Sequence, residues 1–218
     1  MNHCALPILY SFRRCPYAMR ARMALISAEI QVELREIRLK DKPAELITLS
    51  AKATVPVLQL TNGDVIDESL QIMQWALAQN DPNQYLIEDQ NAEQLIEFND
   101  IEFKHWLDKY KYAVRFPENP IAYYQQHIDQ CLTMFEQQLG AKRFLLSDQL
   151  TMLDLALMPF IRQCAYVDSD WFFNRYATTL APWLKRIMHS ELFQRCMQKH
   201  TVWQPDNPLT LLLPMTKE

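Results

Sequence analysis

Short apolar runs alternate with stripes of helical spacing over the first eighty residues. Residues 6–12 form an apolar, aromatic run typical of a buried strand. Met19, Met23 and Ile26 then recur at the spacing of one helix face. The turn signal at residues 61–64 lies between two short apolar runs, which indicates a hairpin. We predict strands at residues 6–12, 31–38, 55–60 and 65–66, and helices at residues 16–28, 43–49 and 69–79.

The pattern becomes almost entirely helical beyond a polar, turn-forming linker at residues 81–90. Thr151 and Asp154 have the spacing of a helix capping box, with Asp in place of the usual Glu. We predict helices at residues 91–114, 120–139, 151–165, 178–189 and 191–199. The chain is therefore expected to divide into an α/β domain at residues 1–80, the linker, and an all-helical domain at residues 91–218.

Charge and apolar content narrow the range of partners. The 218 residues carry 22 Lys and Arg against 26 Asp and Glu, and this net charge of −4 gives no general reason to expect nucleic acid. Residues 1–60 hold nine basic and five acidic side chains, which suits an anionic ligand, although a chance imbalance explains the count equally well. No stretch approaches the roughly 18–20 apolar residues needed to span a bilayer, and the start does not resemble a secretion signal.

Glycine, histidine and cysteine usage argues against several kinds of site. The two glycines, Gly63 and Gly140, cannot supply a dinucleotide-binding or phosphate-binding loop. The five histidines lack metal-ligand spacing, so we expect no metal cofactor. The five cysteines are widely spaced without a Cys-x-x-Cys pair, which argues against a disulfide framework and favours a reducing, cytoplasmic location.

Cys15 is the strongest candidate for a chemical role. It lies between a predicted strand and a helix that begins at Pro16. Free N–H groups at a helix N-terminus, together with the helix dipole, stabilise a thiolate, which is the nucleophilic form of cysteine. Arg13, Arg14 and Arg20 add positive charge nearby. The alternative is a small cysteine that is buried at a helix start without chemical purpose.

The residue three positions after this cysteine is Ala18, so the dithiol form of such a helix start is absent. A disulfide formed on Cys15 must therefore be resolved by an external thiol. Glutathione is the obvious thiol for that step in the cytosol.

Two further segments have features of a ligand site. A cis peptide bond before Pro56 would turn the backbone of Val55 toward a ligand, although only ~5–6% of X–Pro bonds are cis. Asp67, Glu68 and Ser69 precede a predicted helix, where a carboxylate and a hydroxyl beside free N–H groups suit a zwitterionic ligand. A plain N-cap, worth about 1 kcal/mol, is the simpler explanation of this second segment.

The ordered set of these segments resembles the omega-class and omega-like bacterial glutathione transferases. The matching segments are residues 12–20, 42–43, 55–58, 68–69, 151–154 and 158–160. They extend over nearly the whole chain, and the ordered set is specific although Cys-Pro-x-x alone is shared with glutaredoxins. Residues 50–53 depart from the family, because the Asn-Pro or Gly often found there is missing. The resemblance implies a thioredoxin-like α/β N-terminal domain, an all-α C-terminal domain, a homodimer, and glutathione as co-substrate.

The resemblance also implies a role for each matching residue. Val55 would pair through its backbone with the cysteinyl part of glutathione, beside a cis Pro56. Glu68 and Ser69 would hold the γ-glutamyl end, and Lys42 would meet the glycyl carboxylate. An apolar second-substrate site would have these candidates in the helical domain: Tyr112, Phe116, Arg162 and Tyr166.

Three functions are open at this point, and we predict the first. In thiol transfer, the Cys15 thiolate attacks a glutathione mixed disulfide, and a second glutathione then releases Cys15. In conjugation, Tyr10 or Ser11 at the end of the first strand would activate the glutathione thiol toward an electrophile. In the third case the chain is a non-enzymatic binding or regulatory protein with the same fold, against which the intact set of site residues argues.

Overall fold

The computed structural model describes residues 6–213 and contains two compact units. The first unit combines the described residues up to Leu86 with those from Ser190 onward, and the second unit is Ile87–His189. The strands of the described chain are β1 (Ile8–Ser11), β2 (Val32–Glu36), β3 (Val57–Gln59), β4 (Val65–Ile66) and β5 (Leu211–Leu212). Its α-helices are α1 (Pro16–Ser27), α2 (Ala44–Leu49), α3 (Ser69–Gln79), α4 (Gln90–Phe98), α5 (Lys104–Lys111), α6 (Ile121–Leu139), α7 (Met152–Ala165), α8 (Ser169–Arg175), α9 (Leu180–Met188) and α10 (Glu191–Cys196).

All of these strands belong to one sheet in the first unit, in the order β4-β3-β1-β2-β5. β1 and β2 are parallel, and the other neighbouring pairs are antiparallel. Leu9 on β1 lies opposite Leu34 on one side and Leu58 on the other, and all three side chains are buried. Burial of each such leucine stabilises the fold by about 2 kcal/mol.

β3 and β4 form the hairpin that the sequence predicts. The backbone N–H of Leu60 donates to the carbonyl of Asp64 (2.8 Å), and that of Gly63 donates to the carbonyl of Leu60 (3.0 Å). Gly63 has φ +94°, which glycine adopts without steric cost because it lacks a Cβ. α3 begins at Ser69, directly after the hairpin, and packs against α1.

α7 is the central helix of the second unit, since residues 151–161 are all buried. The predicted capping box is present, with Asp154 Oδ2 accepting from the backbone N–H of Thr151 (3.0 Å) and from its hydroxyl (2.9 Å). Asp154 Oδ1 accepts from the Leu145 N–H and from Trp183 Nε1, both at 2.9 Å. One buried carboxylate therefore ties the start of α7 to a preceding loop and to α9.

The order of elements in the first eighty residues follows the prediction, and β4 and α3 coincide with their predicted bounds. An α/β unit followed by a helical unit confirms the predicted fold class. Local pattern is sufficient here because each strand and helix contains its own periodic apolar positions.

Beyond residue 90 the structure differs from the predicted elements in three places. The single helix expected at residues 91–114 consists of α4, a π-helical segment (Asn99–Phe103), α5 and a 3₁₀ turn (Ala113–Arg115). α8 lies where no helix is predicted. The sequence assigns residues 190–218 to the helical domain, whereas the described part of that segment packs with the sheet, because β5 pairs antiparallel with β2.

Candidate active site

Cys15 lies at the N-cap of α1, and Pro16 is the first residue of that helix. The backbone N–H of Cys15 donates to the carbonyl of Phe12 (3.0 Å), and its own carbonyl accepts from the N–H of Met19 (3.0 Å). A proline forfeits no helical hydrogen bond at this position, because the first N–H groups of a helix have no intrahelical acceptor. A tight turn at residues 12–15 therefore delivers the thiol to the start of the helix.

The Cys15 thiol contacts the loop before β3. Its Sγ lies 3.5 Å from the carbonyl oxygen of Val55, to which the thiol donates. The peptide bond between Val55 and Pro56 is cis, as the family resemblance implies. Val55 and Pro56 are buried, whereas Cys15 is partly exposed. Three of the predicted site residues are thus brought together although 40 positions separate Cys15 from Val55.

An apolar cluster covers one side of the Cys15 side chain. Cys15 packs on it together with other partly buried side chains such as Phe12. The buried members of the cluster are Tyr10, Ile37, Leu46, Val55 and Val57. Because this side is filled, a reagent reaches the sulfur only from its exposed side.

Glu68 and Ser69 lie where the sequence places them, at the N-cap and first position of α3. Lys52 donates to Asp67 Oδ1 (3.2 Å) and to Glu68 Oε1. The Ser50 hydroxyl donates to Asp67 Oδ2 (2.7 Å) and, with help from Lys52 and against partial desolvation, lowers the pKa of Asp67 below 3.8. The two carboxylates at this helix start therefore already pair with an ammonium group.

Lys42 lies in the turn between β2 and α2, next to the isolated bridge between Arg38 and Asp41. Its side chain is partly exposed, and within residues 6–213 it has no ion-pair partner. The positive charge of Lys42 is therefore available to a carboxylate from solution.

The three arginines expected around Cys15 have different surroundings. Arg13 Nη1 donates to the carbonyl of Met197 (3.5 Å), and Arg14 is exposed, with its guanidinium 5.6 Å from the ring centroid of Phe12. Arg20 is fully buried on α1. Solvent screens the charge of Arg14 most strongly and that of Arg20 least.

The two hydroxyls of the conjugation alternative are engaged inside the sheet. Tyr10 is fully buried, and its hydroxyl accepts from Arg35 Nη1 (2.6 Å). Burial raises the pKa of Tyr10, although Arg35 opposes the shift. The hydroxyl of Ser11, also fully buried, accepts from Arg22 Nη1 (2.6 Å). Both hydroxyl oxygens are therefore hydrogen-bonded to guanidinium groups and inaccessible to the glutathione thiol.

Three charged side chains that bind the Cys15 turn or the start of α3 do not stand out in the sequence: Arg22, Glu36 and Lys52. Charged side chains in an amphipathic pattern are normally exposed, so Arg22 and Glu36 look like solvated positions. The only sequence feature that draws attention to Lys52 is the departure from the family pattern at residues 50–53.

All four candidates for a second-substrate site lie in the second unit: Tyr112, Phe116, Arg162 and Tyr166. Tyr112 ends α5, with Lys111 and Arg115 over its ring at 4.9 and 4.6 Å. The Arg162 guanidinium lies 5.1 Å from the ring centroid of Tyr166, which is half exposed. The structure therefore places two aromatic–cation groups at these positions.

Other features of the described chain offer little further chemistry. Residues 6–213 contain no group of three or more His, Cys, Asp or Glu side chains that could hold a metal ion. None of the helices in this range combines the length and apolar character that crossing a membrane requires. A cavity of about 450 Å³ in the second unit has Tyr110, Gln125 and Asp168 in its lining, but none of the four second-substrate candidates.

Comparison with known proteins assigns both units to one family. The family model for the glutathione S-transferase N-terminal domain matches residues 9–84, and the model for the glutathione S-transferase C-terminal domain matches residues 89–188. The chain belongs to the glutathione S-transferase family. The two matches together account for most of this transferase.

Curated relatives show how far the similarity extends within the family. Glutathione S-transferase omega-1 of Rattus norvegicus is 40% identical to this transferase over 62 residues, which are 28% of this chain and 26% of that protein. The chain thus matches about a quarter of the length of this relative. Glutathione S-transferase U22 of Arabidopsis thaliana is 26% identical over 206 residues, covering 90% of this chain and 88% of that protein.

Solved structures confirm the fold of the transferase. A glutathione transferase family member from Pseudomonas fluorescens, with two glutathione bound, aligns with a TM-score of 0.74 at 16% identity. The alignment covers 90% of this chain and 94% of that chain. A thioredoxin-like α/β N-terminal domain with a helical C-terminal domain is therefore established as the fold.

Proposed function

We propose that this glutathione S-transferase is an omega-type thiol transferase with Cys15 as its nucleophile and glutathione as its co-substrate. The Cys15 thiolate attacks the glutathionyl sulfur of a mixed disulfide R–S–S–G, whose S–S bond breaks as Cys15–S–S–G forms. RS⁻ leaves and takes up a proton. A glutathione thiolate then attacks the glutathionyl sulfur on Cys15, and oxidised glutathione leaves with both glutathionyl groups. The net reaction converts R–S–S–G and glutathione into R–SH and oxidised glutathione.

The position of Cys15 is the observation that carries this proposal. Its thiol is partly exposed at the N-cap of a 12-residue helix, where N–H groups and the helix dipole favour negative charge. The other cysteines of the described chain, Cys131, Cys164 and Cys196, are buried. Only the Cys15 sulfur therefore combines access with an anion-stabilising position among the described residues.

The proposed glutathione site consists of residues that follow Cys15 in the family pattern: Lys42, Val55, Pro56, Glu68 and Ser69. The cation of Lys42, which has no ion-pair partner within residues 6–213, supports a contact with the glycyl carboxylate. The contact between Lys52 and Glu68 supports an ammonium-binding role for Glu68, because an ammonium already lies against this carboxylate. We expect the γ-glutamyl ammonium to share Glu68 with Lys52 or to displace it.

Replacement of Cys15 by Ser tests the mechanism. We expect Cys15→Ser to lower kcat/KM for reduction of a glutathione mixed disulfide by at least about a hundredfold, because a serine hydroxyl forms no mixed disulfide. Cys131→Ser is the matched control, since its thiol is buried in the second unit, and it should retain activity. Retained disulfide reduction in Cys15→Ser would contradict the proposal.

Conjugation through a hydroxyl predicts the opposite pattern. It requires Tyr10 or Ser11, whose oxygens are engaged by Arg35 and Arg22. Conjugation of glutathione to an electrophile that persists in Cys15→Ser and is lost in Tyr10→Phe or Ser11→Ala would support that alternative. Failure of the parent protein to bind immobilised glutathione would instead favour a non-enzymatic role.

We also propose a homodimer in a reducing, cytoplasmic compartment. The family resemblance supports the dimer, and dependence on reduced glutathione supports the compartment. Light scattering during size-exclusion chromatography should give twice the mass of one chain, and the mass of a single chain would contradict the dimer.

A further inference from the structure

Two buried charged side chains hold the turn that carries Cys15. Arg22 on α1 is 1% exposed, and its guanidinium donates to the Ser11 hydroxyl and to the carbonyl of Arg13, both at 2.6 Å. Glu36 at the end of β2 is 8% exposed, and its Oε1 accepts from the backbone N–H of Arg13 (2.7 Å). Both backbone polar groups of Arg13, two residues before Cys15, are therefore bound by side chains.

The geometry between these two residues is poor for a stabilising ion pair. Arg22 Nη1 and Glu36 Oε2 are 4.0 Å apart, and Arg22 Nε is buried without a hydrogen-bond partner. Desolvation raises the pKa of Glu36 although the Arg13 N–H and the Arg22 charge oppose the shift. A buried pair repays its desolvation only with excellent geometry, so the hydrogen bonds to the turn are the better account of why these charges are buried.

The C-terminal segment also hydrogen-bonds to Glu36 and to Arg13 in this turn. The backbone N–H of Trp203 donates to the carbonyl of Glu36 (2.7 Å). Arg13 Nη1 donates to the carbonyl of Met197 (3.5 Å). Glu36 is thus fixed through its backbone while its carboxylate holds the turn.

We propose that Arg22 and Glu36 are positioning residues that fix the turn at residues 12–15 and thereby keep the Cys15 sulfur at the N-terminus of α1. The inference rests on the proposed function of Cys15, but it concerns the geometry of the thiol and not the identity of its substrate. Because a displacement of about 1 Å in a reacting group can cost about a hundredfold in rate, loss of this support should be measurable.

The test compares Arg22→Met and Glu36→Gln with the parent protein. The rate of Cys15 alkylation by iodoacetamide is measured from pH 5 to pH 9. Peptide mass spectrometry identifies the alkylated cysteine. We expect Arg22→Met to react at least about tenfold more slowly at pH 7, with kcat lowered and KM for glutathione little changed. Glu36→Gln should change in the same direction but less, because its amide oxygen still accepts from Arg13. Arg22→Lys should recover part of the rate, because it keeps a cationic donor.

Arg175→Met is the matched control. Arg175 lies on α8 in the second unit, where its Nε pairs with Asp129 Oδ1 (3.1 Å). This variant also removes an arginine that forms an ion pair, but it should leave the Cys15 alkylation profile of the parent.

The proposal is overturned if Arg22→Met or Glu36→Gln, folded by circular dichroism, alkylates at Cys15 with the pH profile of the parent. If Arg22→Met does not fold, Glu36→Gln and Arg22→Lys decide the question by the same comparison. A parent protein that alkylates normally at Cys15 but reduces no mixed disulfide would contradict the proposed function, and the alkylation comparison would still test the positioning role.

Discussion

His200 follows α10 in the first unit, and its imidazole is partly buried near the charge of Arg22. Burial lowers the pKa of His200 below 6.5, and Arg22 lowers it further. The unfolded chain, with an ordinary histidine, therefore binds this proton more tightly than the folded protein. Stability from neutral His200 is present above pH 6.5 and is lost as the pH falls below that value.

We expect the free energy of unfolding to fall between pH 7.5 and pH 5.5 by more in the parent than in His200→Gln, which cannot take up the proton. Urea unfolding at the two pH values measures the difference. Equal losses of unfolding free energy in the parent and in His200→Gln would contradict the lowered pKa of His200. His189→Gln serves as a control at an exposed histidine.

Residue-scale prediction from sequence succeeds where the signal is local. Cys15 followed by Pro16 marks a helix start, and the structure has that start. The contact between Cys15 and Val55 depends on the packing of segments far apart in the chain, so spacing alone could not give the distance. Arg22 and Glu36 failed to stand out for the same reason, because burial of a charge is decided by tertiary neighbours.

At the scale of elements, the C-terminal segment extends the sheet. β5 pairs with β2, and Trp203 lies beside that edge. The Arg35 guanidinium is 4.3 Å from the Trp203 ring centroid, and the Tyr10 ring meets Trp203 edge-on at 6.3 Å. Aromatic and cation–π contacts therefore fasten this segment to β1 and β2.

Truncation of the Trp203 side chain should weaken the attachment of the C-terminal segment to the sheet. We expect Trp203→Ala to lower the free energy of unfolding by about 2–3 kcal/mol, because a partly buried indole and its stacking are lost. Gln204→Ala, at the exposed neighbouring position, should change it by less than about 0.5 kcal/mol. Urea unfolding measures both, and equal stabilities of the two variants would show that the segment is not fastened by Trp203.

Elements with internal periodicity were predictable, and elements defined by distant partners were not. The first unit's strands and α3 contain their own apolar pattern. β5 has two residues and exists only through pairing with β2, while α8 is short and begins at the Asp168 cap, which accepts from the Trp171 N–H. A π-helical segment inside a helical stretch leaves the apolar spacing almost unchanged, so the sequence merged α4 and α5.

Across the whole molecule, burial should make the cysteines unequal in reactivity. Desolvation raises the pKa of Cys131 to about 12, and desolvation with the neighbouring Cys131 raises that of Cys164 still further. Both thiols are therefore neutral at pH 7.5, whereas thiolate is the reactive form.

We expect brief iodoacetamide treatment at pH 7.5 to modify Cys15 in the native protein, and Cys131 and Cys164 only after denaturation. Peptide mapping by mass spectrometry gives the extent at each site, with the denatured protein as the control for intrinsic labelling. Comparable alkylation rates of Cys15 and Cys164 in the native protein would contradict this prediction.

The most direct test of the account is the intact mass of the protein after treatment with oxidised glutathione. The Cys15 thiolate should displace one glutathione and retain the other, so the parent gains one glutathionyl group that reductant removes. Cys15→Ser should gain none. A parent protein without the adduct, or a Cys15→Ser variant that forms it to the same extent, would contradict the central role of Cys15.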